Sequence, residues 1–455
     1  MLVEVNIDAL VGPSHHFGGL GVGNIASLEH RFRPANPRAA ALEGVEKANL
    51  VAKLGLPQFV LPPLVRPDER IFSQLGFEGS SRQQFAQAAQ IDTQALSSAF
   101  SSAFMWAANS ATVTPAVDST DGCYHFTPAN LISSRHRATE CFDRARQFRE
   151  LFSIPKFHTV HDPLPAIVPL RDEGAANHMR LSDFNLEIGF NVFVYGERGS
   201  ARSSHRFAAR QSLAACHAIA RRHRLKSTTT FFLQQHPDAI DAGVFHNDVI
   251  ATSHKDLLIH HERAYIDSDA ELQRLETAFE QHTGHLLIRR VVSDSELSLS
   301  DAVKSYVFNS QIVSPVTSNP NESVMICPSQ CQSITNARCL IESFVSDPNI
   351  PIAETKFVAL DQSMSGGGGP ACLRLRIPAD SRTLSQMPAR LRLNEHLADK
   401  LRDVIQRCYP ISISLNDFTS QDCLDQIAFA YKELCAVLGV CAEDSSGHSN
   451  FGSRG

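Results

Sequence analysis

No stretch of this 455-residue chain reads as a linker: proline and glycine are spread along it, and no long Ser/Gly-rich or charged run separates two blocks. Length alone would suggest about three domains of ordinary size. Without a break, one large domain is the better expectation. Strand-like stretches recur at Phe190–Tyr195, Val249–Thr252, Leu257–His260, Leu286–Ile288 and Lys356–Leu360, rich in β-branched and aromatic residues. Between them lie stretches with helical spacing, at Ser212–Arg222, Ala270–His282 and Leu393–Cys408. The order is α/β throughout, with no literal repeat. The polar segment 441–455, rich in Ser and Gly, is expected to be a disordered tail, leaving 1–440 as a single domain.

Composition narrows the class. The hydrophobic content of 43% is ordinary for a globular protein. A net charge of −6 comes without the clustered Lys/Arg blocks of a nucleic-acid footprint, and the one basic patch, Arg221, Arg222, Arg224 and Lys226, reads as a solvated helix end. No nucleic-acid partner is expected. Eleven cysteines, an odd number scattered from Cys123 to Cys441, do not form a disulfide framework and suit a reducing compartment. The first residues, Met1-Leu2-Val3-Glu4, carry an acid early and start no secretory signal, and no run reaches the ~18 apolar residues of a membrane span. A soluble, cytoplasmic protein with no membrane partner is expected.

Cys372 follows Gly366 to Gly369, Pro370 and Ala371, and opens the alternating segment Cys372-Leu373-Arg374-Leu375-Arg376-Ile377. Period two predicts a strand with Leu373, Leu375 and Ile377 toward a core and Cys372, Arg374 and Arg376 on the other face. A thiol beside two guanidinium groups and a glycine loop is expected to favour the thiolate, the reactive form. The alternative is a small buried hydrophobe, the usual fate of cysteine.

Other polar clusters carry similar choices. Gly18-Gly19-Leu20-Gly21-Val22-Gly23-Asn24 follows His15-His16 and fits neither the phosphate-loop nor the dinucleotide fingerprint. It is a loop closing over a ligand or a plain turn. His15-His16 and the set Cys327, Cys331, Cys339 match no common zinc spacing, so no metal site is expected. Asp172-Glu173 follows an apolar strand-like run from Ile167, and His246 and Asp248 stand two apart before another, where a strand would put both on one face. Each could be a capped turn. Together with Cys372 they supply a nucleophile, a base and carboxylates.

At these residues the chain resembles the N-succinylarginine dihydrolases of the arginine-deiminase-like, or pentein, superfamily. The resemblance runs from about residue 3 to about residue 440 and is carried by 11–27, 105–112, 172–178, 244–250, Phe308-Asn309-Ser310-Gln311 and 367–376. It implies a catalytic triad of Glu173, His246 and Cys372, with Cys372 the nucleophile. Substrate contacts are implied at Gly18, Gly19, Leu20, Gly21, Val22, Gly23, Asn24, Ile25, Ala26, Ser27, Asn109, His136, Arg137, Arg210 and Asp248. A five-bladed α/β propeller with pseudo-fivefold symmetry, a homodimer, and no metal or organic cofactor are implied as well. The implied reaction, part of arginine catabolism by the succinyltransferase route, converts N2-succinylarginine and two waters to N2-succinylornithine, two ammonia and carbon dioxide.

These residue types suit that chemistry. Carboxylates match a guanidinium fork, so Glu173 and Asp248 are expected to grip it while Cys372 attacks its carbon and His246 moves protons. His136, Arg137 and Arg210 suit the substrate's carboxylates. One departure stands out: Gly366 occupies the place, six residues before the nucleophile, where the family is expected to contact substrate through an asparagine. A backbone contact is expected instead, so that Gly366→Asn would change affinity little. Three other readings are a papain-like protease, whose Cys and His would occur in the opposite order, an arginine deiminase or related amidinohydrolase, and a ligand-binding scaffold without turnover.

Overall fold

The computed structural model describes residues 2–152, 158–197, 206–315 and 322–440; the expected tail 441–455 lies outside them. Five sheets carry the strands, and one pairing scheme recurs in all five. A central strand has an antiparallel neighbour on one side and a parallel neighbour on the other. Val3–Ala9 lies between Arg374–Ala379 and Gln58–Leu61. Tyr124–Pro128 lies between Ala111–Thr114 and His158–Val160. Gly189–Tyr195 lies between His178–Ser182 and Thr230–Gln235, which the short Tyr265–Ile266 extends. Leu257–His261 lies between Ala251–His254 and Ile288–Val292, and Ser323–Pro328 between Gln311–Val313 and Ile352–Val358.

A parallel neighbour cannot be reached by a tight turn, so each parallel pair needs a crossover. A helix supplies it every time: Pro37–Lys53, Arg135–Phe152, Leu213–Arg222, Asp269–Thr283 and Thr335–Ser346. The central strands from Tyr124, Gly189, Leu257 and Ser323 are buried at every residue. Strands covered on both faces have no solvent side to mark with polar residues. That is why Phe190–Tyr195 and Leu257–His260 show in the sequence as apolar runs. The first sheet closes the set, because its antiparallel strand, Arg374–Ala379, comes after the strands of the other four sheets in the chain.

Several expected boundaries shift. Ser212 is the N-cap of Leu213–Arg222, its side chain accepting from the Ala215 N–H, and Asn394 caps Glu395–Cys408 in the same way. The strand expected at 286–288 begins only at Ile288, and that at Lys356–Leu360 is Ile352–Val358. The apolar run from Ile167 is a short 3-10 turn, Val168–Leu170, and 247–249 is another, so His246 and Asp248 do not share a strand face. Apolar residues in one turn of 3-10 helix cannot be told from a short strand by periodicity.

Candidate active site

Each antiparallel strand is entered through a short turn, and the five turns touch in a closed ring. The Ala108 N–H donates to the Cys372 carbonyl at 3.1 Å. Gly174, at φ +70°, packs against Ala108 and Ala111 so closely that an added Cβ would lie 3.1 Å from the Ala108 carbonyl oxygen. The Asn247 N–H donates to Asn177 Oδ1 at 2.8 Å, Asn309 Nδ2 to the Asp248 carbonyl at 3.0 Å, and the Ala371 N–H to the Asn309 carbonyl at 2.8 Å. Asn109, Glu173, His246 with Asp248, Asn309 and Cys372 therefore meet at one place from five distant parts of the chain. Asn109, Asn309 and Cys372 each stand two residues before the strand that follows.

Cys372 lies in this turn, ahead of the strand that starts at Arg374, and not on the strand as expected. Leu373, Leu375 and Ile377 do enter the core. Arg374 and Arg376 line a different cavity, together with Arg180, Lys255 and Asp248. The thiol is buried and donates to Asp248 Oδ2 at 3.2 Å, while Asn309 Nδ2 donates to the sulfur at 3.1 Å. The expectation of a thiolate-favouring setting is overturned for the unliganded protein. Burial, and then the adjacent Asp248 carboxylate, push the Cys372 thiol well above its ordinary range.

Glu173 and His246 form the buried pair beside it, with His246 Nε2 2.8 Å from Glu173 Oε2. Burial pushes the Glu173 carboxyl up, but the Arg137 guanidinium and the hydrogen bond from His246 outweigh it and hold the group well below its ordinary range. A carboxylate only accepts, so the His246 proton sits on Nε2. Burial lowers the imidazole to about 4 against the pull of Glu173, leaving it neutral with Nδ1 unpartnered by protein. Ser133 Oγ donates to Glu173 Oε1 and Arg137 Nη2 to Oε2, each at 2.5 Å. Glu173 thus orients His246, and both of its oxygens are already engaged by protein side chains, Oε2 by two of them. Asp248 is different: burial raises it to about 6 against hydrogen bonds from Cys372 and Asn309, and its Oδ1 has no protein partner.

An open cleft lies over the sulfur, with Cys372, His246, Asn109, His136, Arg137 and Arg210 in its wall. Gly18, Gly19, Leu20, Gly21, Asn24, Ser27 and Gly366 line it as well. Val22 points to solvent and Gly23 stands off the wall, while Ile25 and Ala26 face a separate cavity beside Tyr306 and Met364. The wall also includes His15, His16, Ser101, Ser102, Trp106 and Phe245. Five buried polar atoms without protein partners belong to residues of this wall: His15 Nε2, Asn109 Oδ1, His136 Nδ1, Arg137 Nε and His246 Nδ1. Orphaned buried polar atoms are costly, so their convergence marks a ligand site. Arg137, expected to clamp substrate, is already paired with Glu173. Arg210 donates to the Val22 carbonyl and lies over the Phe245 ring, 4.7 Å from its centroid.

Each glycine before Cys372 has a reason. Cβ atoms on Gly366 and Gly369 would lie 2.8 Å from Trp106 Cζ2 and Asn309 Oδ1, and those on Gly367 and Gly368 would run into Asn24 and Trp106. The Gly366 carbonyl accepts from Asn24 Nδ2 at 3.2 Å. Asn309 is a site residue that sequence reasoning misses: although its motif carries part of the resemblance, it looks like any asparagine ahead of a short strand. Among the described residues no group of three or more His, Cys, Asp or Glu could hold a metal ion. No described helix is long and apolar enough to cross a membrane.

A family model described as succinylarginine dihydrolase matches residues 1–443. An N-succinylarginine dihydrolase from Chromohalobacter salexigens is 42% identical over 442 residues, covering 96% of this chain and 97% of that one. The chain belongs to the succinylarginine dihydrolase family. A second member, from Nitrosospira multiformis, is 41% identical over 440 residues with the same coverage. Among solved structures, the product-bound N-terminal domain of a cyanobacterial arginine dihydrolase matches with a TM-score of 0.49 at 14% identity, over 82% of this chain and 97% of that one. So distant a likeness adds nothing to the family assignment.

Proposed function

We propose that the protein hydrolyses N2-succinylarginine to N2-succinylornithine with Cys372 as nucleophile, as a step of arginine catabolism. The observation that carries this is the meeting of a buried thiol, a carboxylate and a braced neutral imidazole at a cleft whose polar atoms await a ligand. Asp248 is the carboxylate one hydrogen bond from the sulfur, placed to pair with the substrate guanidinium. His246 takes the thiol proton onto Nδ1 as the sulfur attacks the guanidinium carbon, hands that proton to the departing ammonia, and then takes one from the water that cleaves the covalent intermediate, returning it to the sulfur as it leaves. That leaves a ureido compound. A second round at the same carbon releases the second ammonia, and hydrolysis of the thiocarbamate gives a carbamate that loses carbon dioxide. Two waters enter in all. Arg210 and His136 are placed to read the succinyl and α-carboxylates.

Five sheets with one pairing scheme, and turns joined in a ring, support blades of a five-bladed propeller with pseudo-fivefold symmetry, the site on its axis. A homodimer and chemistry without a cofactor rest on the family resemblance, and a cytoplasmic location rests on the cysteine usage of the chain. Incubation with N2-succinylarginine and with arginine, following ammonia and ornithine products, tests the reading. Two ammonia per succinylarginine are expected. One ammonia and a ureido product would make the enzyme a deiminase, and no turnover would leave a binding protein.

A further inference from the structure

We propose that Asn309 is a further catalytic residue, whose side-chain amide is the hydrogen-bond donor that holds the Cys372 sulfur as the attacking thiolate. The proposal rests on Cys372 being the nucleophile. Sulfur attacks as the thiolate, yet a buried thiol facing a carboxylate is held in its neutral form. Some donor must therefore offset Asp248. Among the described residues the side chain that donates to Sγ is Asn309, at 3.1 Å, and its amide is fully buried.

Two contacts fix which end of that amide faces the sulfur. Asn309 Oδ1 accepts from the Cys372 backbone N–H at 3.1 Å, and Nδ2 meets the Asp248 carbonyl at 3.0 Å. A backbone N–H can only donate and a carbonyl only accept. Turning the amide over would set donor against donor and acceptor against acceptor, so the NH2 end is held on the sulfur. Gly369 is part of the device: an added Cβ there would lie 2.8 Å from Asn309 Oδ1. One side chain thereby fixes the turn that carries the nucleophile, the loop that carries Asp248, and the charge state of the sulfur between them.

The alkylation of Cys372 by iodoacetamide, followed against pH by mass spectrometry of the peptide that carries it, tests this without relying on turnover. Asn309→Asp keeps an oxygen for the Cys372 N–H and removes the donors; Asn309→Ala removes both. In either variant, at unchanged melting temperature, the Cys372 alkylation rate near pH 8 should drop about tenfold or more, as expected for losing one hydrogen bond to a charged group, with the profile displaced toward higher pH. The Asp variant is the one retained if the Ala variant does not fold. A profile matching wild type within twofold at every pH, with turnover lost, would reduce Asn309 to a structural brace and overturn the proposal. Wild-type turnover in Asn309→Asp would overturn it equally. Full activity in Cys372→Ser, by contrast, would strike at the nucleophile assignment itself.

Discussion

Asp248 accepts the hydrogen bond of the Cys372 thiol at 3.2 Å, so the group that would bind a cation and the group that would attack it share one proton site. With Asp248 raised to about 6 by burial and His246 lowered to about 4, the free enzyme titrates in two steps on the acid side. As pH falls, Asp248 protonates first and loses the charge that pairs with a guanidinium. The acid limb of kcat/KM is therefore expected near pH 6, with a steeper fall near 4. In Asp248→Asn the residual activity should show only the lower limb in initial ammonia-release rates; a limb persisting near 6 would assign it to another group.

Cys372→Ser should fold normally and show no turnover, since removing a covalent nucleophile removes the pathway. Glu173→Gln should lower kcat by about 10²–10⁴-fold, the range for losing a positioned proton carrier, because the carboxylate that fixes the His246 tautomer is gone. The combined variant should be no worse than Cys372→Ser alone. Residual rates in single and double variants decide this.

The two site arginines should separate kinetically. Arg137 is tied to Glu173 at 2.5 Å, so Arg137→Ala should depress kcat and lower the melting temperature by leaving a buried carboxylate short of its partner. Arg210→Ala should act mainly on KM for succinylarginine, raising it by roughly ten- to a hundredfold, the weight of a charged hydrogen bond. Equal effects on both parameters in both variants would contradict this division.

Gly366→Asn now carries a different expectation from the one its sequence position suggested. With Trp106 Cζ2 only 2.8 Å from where its Cβ would stand, and Trp106 Nε1 donating to Ser363 Oγ at 3.2 Å, the substitution must displace the indole from the cleft wall. A loss in kcat/KM and a lower melting temperature are expected, rather than an unchanged or improved affinity. Substrate titration with thermal denaturation reads both.

Asp172 offers a stability test. Burial raises its carboxyl from 3.8 to about 7, against hydrogen bonds from the Gly174 N–H and Gln211. Between these values the folded state holds a proton that the unfolded chain has lost, so this contribution falls as pH rises from about 4 to about 7 and is flat above. The melting temperature of Asp172→Asn minus that of wild type should therefore climb across that window. A difference independent of pH would place the ordinary carboxylate at Asp172.

Much of this molecule was legible in its sequence, and the misreadings have physical causes. Gly189–Tyr195 and Leu213–Arg222 announce themselves because length, burial and capping leave periodic or continuous apolar marks. The ring of turns leaves none. Asn109, Glu173, Asn309 and Cys372 sit in two or three residues of irregular backbone, far apart in the chain, and only hydrogen bonds between the turns unite them. The thiol's surroundings were misjudged because Arg374 and Arg376 are its neighbours along the chain while Asp248 is its neighbour in space. Likewise Arg137 carries the right charge for a substrate clamp, yet no motif reveals that Glu173 already holds it.

The antiparallel pairing of Val3–Ala9 with Arg374–Ala379 joins the first and last of the described strands into one sheet, and the nucleophile's turn hangs from the second of them. During synthesis, every other turn of the ring can be made and packed before that seam forms. The nucleophile's turn is the last of the five to leave the ribosome, and a protease that removed either strand is expected to silence the enzyme without touching one residue in its cleft.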